Sequence, residues 1–209
     1  MRAAAEICVV RHGETDWNLQ GILQGSRDIP LNDTGRRQAL ELVAHLKAFD
    51  FSGIYSSPLR RAFETATILA AHLALPEPIR HAGMQERHFG TVQGIPKAIL
   101  AQSHPELHRQ ILARDPTARF DDDEAPEDFI DRVLIAIREI GARSTGQRVL
   151  LITHGWVMDV LTRQASDLPH TARLPIKRKN GETLWLAVSS EQIQEIAPRF
   201  TDDRKRAAC

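Results

Sequence analysis

Residues 7–13 read ICVVRHG and residues 150–155 read LLITHG, and these two stretches decide the fold. Each is a brief apolar run of the kind that forms a strand buried on both faces, and each ends on a histidine followed by a glycine. In open α/β sheets, ligands collect beyond the carboxyl ends of the strands. Two such strands in one sheet would therefore bring His12 and His154 to a common rim. Gly13 and Gly155 let the backbone turn sharply there and approach a ligand closely.

Working outward, strands are expected at Glu6–Val10, Gly53–Tyr55, Ile79–His81 and Arg148–Thr153, with a closing hairpin of Leu184–Val188 and Ile193–Ile196. Asn32 and Thr34 can cap a helix running to about Lys47. In SSPLRRAFETATILAAHL, Ser57 suits an N-cap and Pro58 the first helical position. Leu59, Phe63, Ala66, Leu69 and Ala70 would give that helix its apolar face. Between Gln85 and Pro126 four prolines punctuate short helical pieces, which predicts a small helical lid over 85–126. A regular helix returns over Glu127–Arg143, and a short one follows Gly155. Alternating strands and helices of these lengths predict an α/β fold: a three-layer sandwich whose mostly parallel sheet is flanked by helices, plus the lid. One domain over 1–198 is expected, with a disordered polar tail at 199–209.

Composition narrows the function classes. The 209 residues carry 27 basic and 27 acidic side chains, so no global field points to nucleic acid or an anionic membrane. Any anion affinity must come from local clustering. Two cysteines, Cys8 in the first strand and Cys209 at the end, suggest neither a disulfide framework nor a zinc site, and this fits a cytoplasmic location. No apolar stretch approaches the roughly 20 residues of a membrane helix. The acidic run Asp121 to Glu124 reads as a solvated loop leading into a helix.

The strand-to-helix junction IYSSPLRR would place Arg60 near the rim that holds Arg11, His12 and His154. Two imidazoles and two guanidiniums make a concentrated anion receptor, since guanidinium forks match phosphate oxygens bidentately. Unprotonated His12 can attack phosphorus, while His154, Arg11 and Arg60 hold the remaining oxygens as charge shifts. A leaving alkoxide then needs a proton, so a carboxylic acid with a raised pKa is required nearby. Thr15, next to Glu14, can bond backbone or phosphate.

RHGETDWN, SSPLRRAFETA, QERHFGTVQG and THG, in that order, resemble the motifs of the histidine phosphatase superfamily, the phosphoglycerate mutase-like family. The resemblance implies that His12 is the phosphorylated nucleophile and that Arg11, Arg60 and His154 complete the phosphate pocket. It also implies that Glu86 is the general acid and base, with Glu14 as a nearby competitor for that role. Asn18, Gln24 and Gly25 fall where the family's loop contacts phosphate or the leaving group. No metal is implied.

Family members hand the phosphoryl group either to water or to a second substrate hydroxyl. QERHFGTVQGIPK resembles the mutase side, where Glu86, Arg87 and Lys97 match positions serving a phosphoglycerate, although Phe89 replaces a tyrosine. The short segment from Glu86 to His154 and its acidic stretch resemble the compact phosphatases. Asp159 also stands where many relatives carry a basic residue. A phosphatase acting on small phosphorylated metabolites is therefore expected, with no cofactor and with neither nucleic acid nor membrane as partner. A homodimer is compatible with this reading. The alternatives are a phosphoglycerate mutase, which would need 2,3-bisphosphoglycerate as primer, and an inactive member that only binds phospho-ligands.

Overall fold

The computed structural model describes residues 3–122, 124–175 and 177–198. The tail at 199–209 and Asp123 of the acidic run lie outside the described residues. Among the described residues six strands form one sheet: β1 (Ala5–Arg11), β2 (Gly53–Ser56), β3 (Ile79–Arg80), β4 (Arg148–Thr153), β5 (Thr183–Val188) and β6 (Ile193–Glu195). Their spatial order is β3-β2-β4-β1-β5-β6. The β3–β2, β2–β4 and β4–β1 pairs are parallel, and β5 and β6 add an antiparallel edge. The expected mostly parallel sheet and its closing hairpin are both present.

Among the described residues the seven helices are α1 (Asp16–Leu19), α2 (Asp33–Leu46), α3 (Arg60–Leu73), α4 (Lys97–Ser103), α5 (Pro105–Ala113), α6 (Pro126–Arg143) and α7 (Gly155–Ala165). The strands separate two apolar clusters by simple alternation. Ile7 and Val9 of β1 and Val149 and Leu151 of β4 point into one cluster with Phe129, Ile137 and Val157. Cys8, Val10, Leu150 and Ile152 point into the other, with Val43, Ala66 and Leu69 of α2 and α3. Burial on both faces explains why these strands read as continuous apolar runs. Leu100, Ile111 and Phe120, from the segment expected to be a lid, join the first cluster, so that segment is packed onto the main core.

Asn32 caps α2, its Oδ1 accepting from the Gly35 N–H at 2.8 Å. Helix α6 opens with Pro126 and carries Glu127 and Asp128 in its first turn and Arg143 in its last, which complements the helix dipole. Helix α3 departs from expectation. It starts at Arg60, with Leu59 as an extended N-cap, rather than at Pro58 after Ser57. The Ser57 hydroxyl is engaged elsewhere, 2.8 Å from His154 Nε2, while also accepting from the Leu59 N–H. The buried stripe of α3 consequently runs through Arg61, Ala62, Thr65, Ala66, Leu69 and Ala70, and Phe63 is only partly buried.

Candidate active site

Strands β1 and β4 pair in register as far as Arg11 opposite Thr153, so the residues that follow them, His12 and His154, emerge side by side. Their ring centroids are 5.1 Å apart. Both side chains are buried, and His154 is the N-cap residue of α7.

Hydrogen bonds set the tautomer of His12. Its Nδ1 lies 2.7 Å from the Gly13 carbonyl, an acceptor, so Nδ1 carries the proton. Its Nε2 accepts from Arg61 Nε at 3.2 Å, so this nitrogen is unprotonated and its lone pair is held by the guanidinium. Burial, reinforced by the charges of Arg61 and Arg11, lowers the His12 pKa well below the ordinary 6.5. The ring is thus neutral and nucleophilic at physiological pH. His154 is lowered in the same way, again chiefly by burial. When the Ser57 hydroxyl donates to Nε2 of His154, the ring proton is on Nδ1, which is buried with no hydrogen-bond partner among the described residues.

The second arginine of the pocket is Arg61, and the expectation of Arg60 is corrected. Arg60 is exposed, and only its backbone N–H is held, by Asp28 at 2.6 Å. The later start of α3 turns Arg61 inward instead, at 1% exposure. Its Nη1 and Nη2 donate to the carbonyls of Arg27 and Gly25, each at 2.7 Å. Arg11 is anchored by Nη1 on the Arg178 carbonyl at 2.6 Å, and its Nε is buried without a partner among the described residues. Burial lowers both guanidinium pKa values to about 10. They remain charged at neutral pH.

Glu86 follows a 3-10 turn at Ala82–Met84, whose last carbonyl is fixed by Thr153 Oγ1 at 2.9 Å. Its carboxylate accepts from the backbone N–H groups of Arg87 at 3.0 Å and Trp156 at 3.3 Å. Burial nevertheless raises its pKa above the ordinary 4.5. A carboxyl group with a raised pKa, the kind the chemistry requires, therefore stands on the cavity wall.

Arg11, His12, Asn18, Gln24, Gly25, Arg61, Glu86, Lys97, Arg114 and Gly155 all border one cavity of about 100 Å³. That is room for a phosphate group rather than a drug-sized ligand. A larger hollow of about 540 Å³ lies between α2 and β5, lined by Leu42, Phe49 and Trp185 among others, and contains none of the residues singled out by the motifs.

Four other expected contacts are structural in place of lining the cavity. Gly13 faces the backbone of Gly35, whose carbonyl would lie 2.5 Å from an added Cβ, so its missing side chain admits protein and not ligand. Glu14 accepts from Asn32 Nδ2 at 3.0 Å, which ties it to the start of α2. Thr15 caps α1 in a capping box with Asn18. Arg87 donates to the carbonyls of Ala118 and Glu124 and lies against Phe120 and Trp156, fully inside the segment above the site.

Two supporting groups, Thr65 and Asn180, were missed in the sequence, and Arg114, one of the basic residues between Glu86 and His154, joins them at the site. Thr65 Oγ1 accepts from the Gly13 N–H at 3.1 Å and ties α3 to the RHG turn. Asn180 Nδ2 donates to the carbonyls of His12 at 2.8 Å and Gly13 at 3.2 Å. Arg114 reaches the cavity from the end of α5. Thr65 shares the α3 stripe with Arg61, a signal visible as i and i+4 positions. Asn180 belongs to no motif and arrives only through the antiparallel return of β5.

The buried neutral imidazoles give a stability prediction. An unfolded chain takes up protons on His12 and His154 near pH 6.5, whereas the folded state resists until well below it. Their contribution is therefore fully present above 6.5 and is lost as pH falls from there toward the folded values. Glu86, raised, works in the opposite sense: its contribution is present below 4.5 and lost as pH rises through its folded value. His154→Asn removes one histidine share and leaves Glu86 untouched. Its melting temperature should therefore fall less steeply with acid than that of the parent protein. Parallel slopes in thermal melts would show that His154 is not buried neutral.

A family model described as the histidine phosphatase superfamily (branch 1) matches residues 7–197. Phosphoglycerate mutase-like protein 4 of Arabidopsis thaliana is 38% identical over 167 residues, covering 77% of this chain and 71% of the relative. The uncharacterized phosphatase PhoE of Bacillus subtilis is 34% identical over 160 residues, 77% of each chain. The solved structure of Bacillus stearothermophilus YhfR superposes with a TM-score of 0.84 at 28% identity, covering 95% of this chain and 98% of that one.

Proposed function

The chain belongs to the histidine phosphatase superfamily, and from that premise we propose that it is a metal-independent phosphatase of small phosphomonoesters working through a phosphohistidine. One observation carries the reading: His12 borders the cavity with its Nε2 unprotonated and held by Arg61 Nε, while Nδ1–H is pinned to the Gly13 carbonyl. In the first step Nε2 attacks phosphorus and the ester P–O bond breaks. Glu86 delivers its proton to the leaving oxygen. Arg11, Arg61 and His154 Nδ1–H stabilise the charge spread over the remaining oxygens. In the second step Glu86, now a carboxylate, takes a proton from water as the water attacks phosphorus, and the P–N bond breaks to release phosphate. The guanidiniums supply the positive charge, so no metal is assigned a step.

Hydrolysis is favoured over transfer by the phosphatase named among the relatives. The mutase reading draws on the phosphoglycerate mutase-like relative and on the presence of Lys97 and Arg114 at the cavity. The acid role is tested by Glu86→Gln. This change should slow release from alkyl phosphates by about 10²-fold or more, but slow p-nitrophenyl phosphate, whose leaving group needs little protonation, far less. Equal losses on both substrates would remove Glu86 from the acid role. Interconversion of monophosphoglycerates dependent on 2,3-bisphosphoglycerate, without net phosphate release, would favour the mutase.

A further inference from the structure

Arg114 is the C-cap residue that follows α5, held in the left-handed region at φ 48°. From there its guanidinium crosses to α7. Nη1 donates to both oxygens of Asp159, at 3.1 and 3.2 Å. Asp159 is 3% exposed, one turn into the helix that begins at His154. Gly155 makes the crossing possible, because a Cβ there would lie 3.0 Å from the guanidinium. Asp159 itself does not border the cavity; Arg114 does, beside Lys97 and on the same cavity as Glu86.

The charges fall into two groups. Arg11 and Arg61 contact or flank His12 and serve the phosphoryl group. Lys97 and Arg114 come from the segment over the site and face whatever is attached to it. Burial and then the positive fields of Arg11 and Arg114 lower the Lys97 pKa, which marks how crowded with cations this end is. Asp159 is the carboxylate that cancels one of these charges, and it does so directly on Arg114.

Resting on the phosphomonoesterase reading, we propose that Asp159 is a specificity-determining residue that acts through Arg114. By neutralising Arg114 it limits the site to phosphomonoesters whose leaving group carries at most one negative charge, and it rejects a second phosphate. With the pair intact, Lys97 offers one uncompensated charge, enough for a single carboxylate. A second phosphate brings about two negative charges, and Arg114 cannot turn to it without breaking a buried ion pair. Asp159 is thus a repulsive element, selecting by what it excludes.

The test compares p-nitrophenyl phosphate, 3-phosphoglycerate and 2,3-bisphosphoglycerate as ligands, reading affinity by calorimetry beside phosphate release. In the parent protein, 3-phosphoglycerate should bind more tightly than the bisphosphate. Asp159→Asn should tighten the bisphosphate about tenfold, with the effect in KM and not in kcat, and should leave p-nitrophenyl phosphate affinity within about twofold. Adding Arg114→Gln should abolish the gain, because the guanidinium that Asp159→Asn releases is then gone. A merely structural role for Asp159 would weaken all three ligands alike. That result, equal parent affinity for the mono- and bisphosphate, or a gain that survives Arg114→Gln would each overturn the proposal. Failure of the phosphatase reading is separate: it would appear as binding without phosphate release in the parent protein.

Discussion

Replacing His12 with alanine is expected to lower phosphate release by about 10⁴-fold or more, the scale seen when a covalent nucleophile is removed. The size follows from the geometry. His12 borders the cavity with an unprotonated Nε2, and the neighbouring imidazole of His154 has its Nε2 engaged with the Ser57 hydroxyl. Among the described residues that border the cavity there is no other histidine and no serine, threonine, tyrosine or cysteine, so water alone would have to attack. The fold should survive. The RHG turn is held by its backbone, with the His12 N–H on the Thr153 carbonyl and both the His12 and Gly13 carbonyls on Asn180. Removing a buried imidazole between two guanidiniums also relieves a desolvation cost. The variant should still bind orthovanadate, because Arg11, Arg61 and His154 remain. Turnover within tenfold of the parent would mean that the reaction does not pass through His12.

Arg61→Ala and Arg60→Ala should behave very differently although the residues are adjacent. Loss of Arg61 should reduce kcat/KM by about 10²–10³-fold, the range for removing one preorganised donor from a developing oxyanion. Arg60→Ala should stay within about threefold. Arg61 contacts His12 and is held by two carbonyls, whereas the Arg60 side chain is in solvent. Arg61→Lys should recover little, because a lysine cannot donate to Nε2 and to two carbonyls from one planar fork. A larger loss at Arg60 than at Arg61 would contradict the placement of α3.

The contrast between these two arginines shows where the sequence was legible. The strands ending in RHG and THG could be read because burial on both faces leaves a continuous apolar run, and the register of β1 on β4 does bring the two histidines together. The start of α3 could not be read. Ser57 and Pro58 have the composition of a helix entry, but the Ser57 hydroxyl is taken by His154, a partner about 100 residues away in the chain. Local propensity lost to a tertiary hydrogen bond, and a shift of the helix start changed which arginine points inward. The small-residue stripe through Ala62, Thr65, Ala66, Leu69 and Ala70 was the available clue to Arg61. Glu86 could be located only through resemblance, since nothing local distinguishes it from other carboxylates until the fold buries it. Asn180 and the Arg114–Asp159 pair depend on long-range packing and leave no periodic trace.

The most direct test of the account is the chemical identity of the intermediate. Rapid quenching of the enzyme during turnover, with mapping of the phosphorylated peptide and phosphorus NMR, should find an acid-labile phosphoryl group on Nε2 of His12. The hydrogen bond from Nδ1–H to the Gly13 carbonyl leaves Nε2 as the unprotonated nitrogen that attacks. A phosphoryl group on Nδ1, on another residue, or absent while phosphate is released at full rate would contradict it.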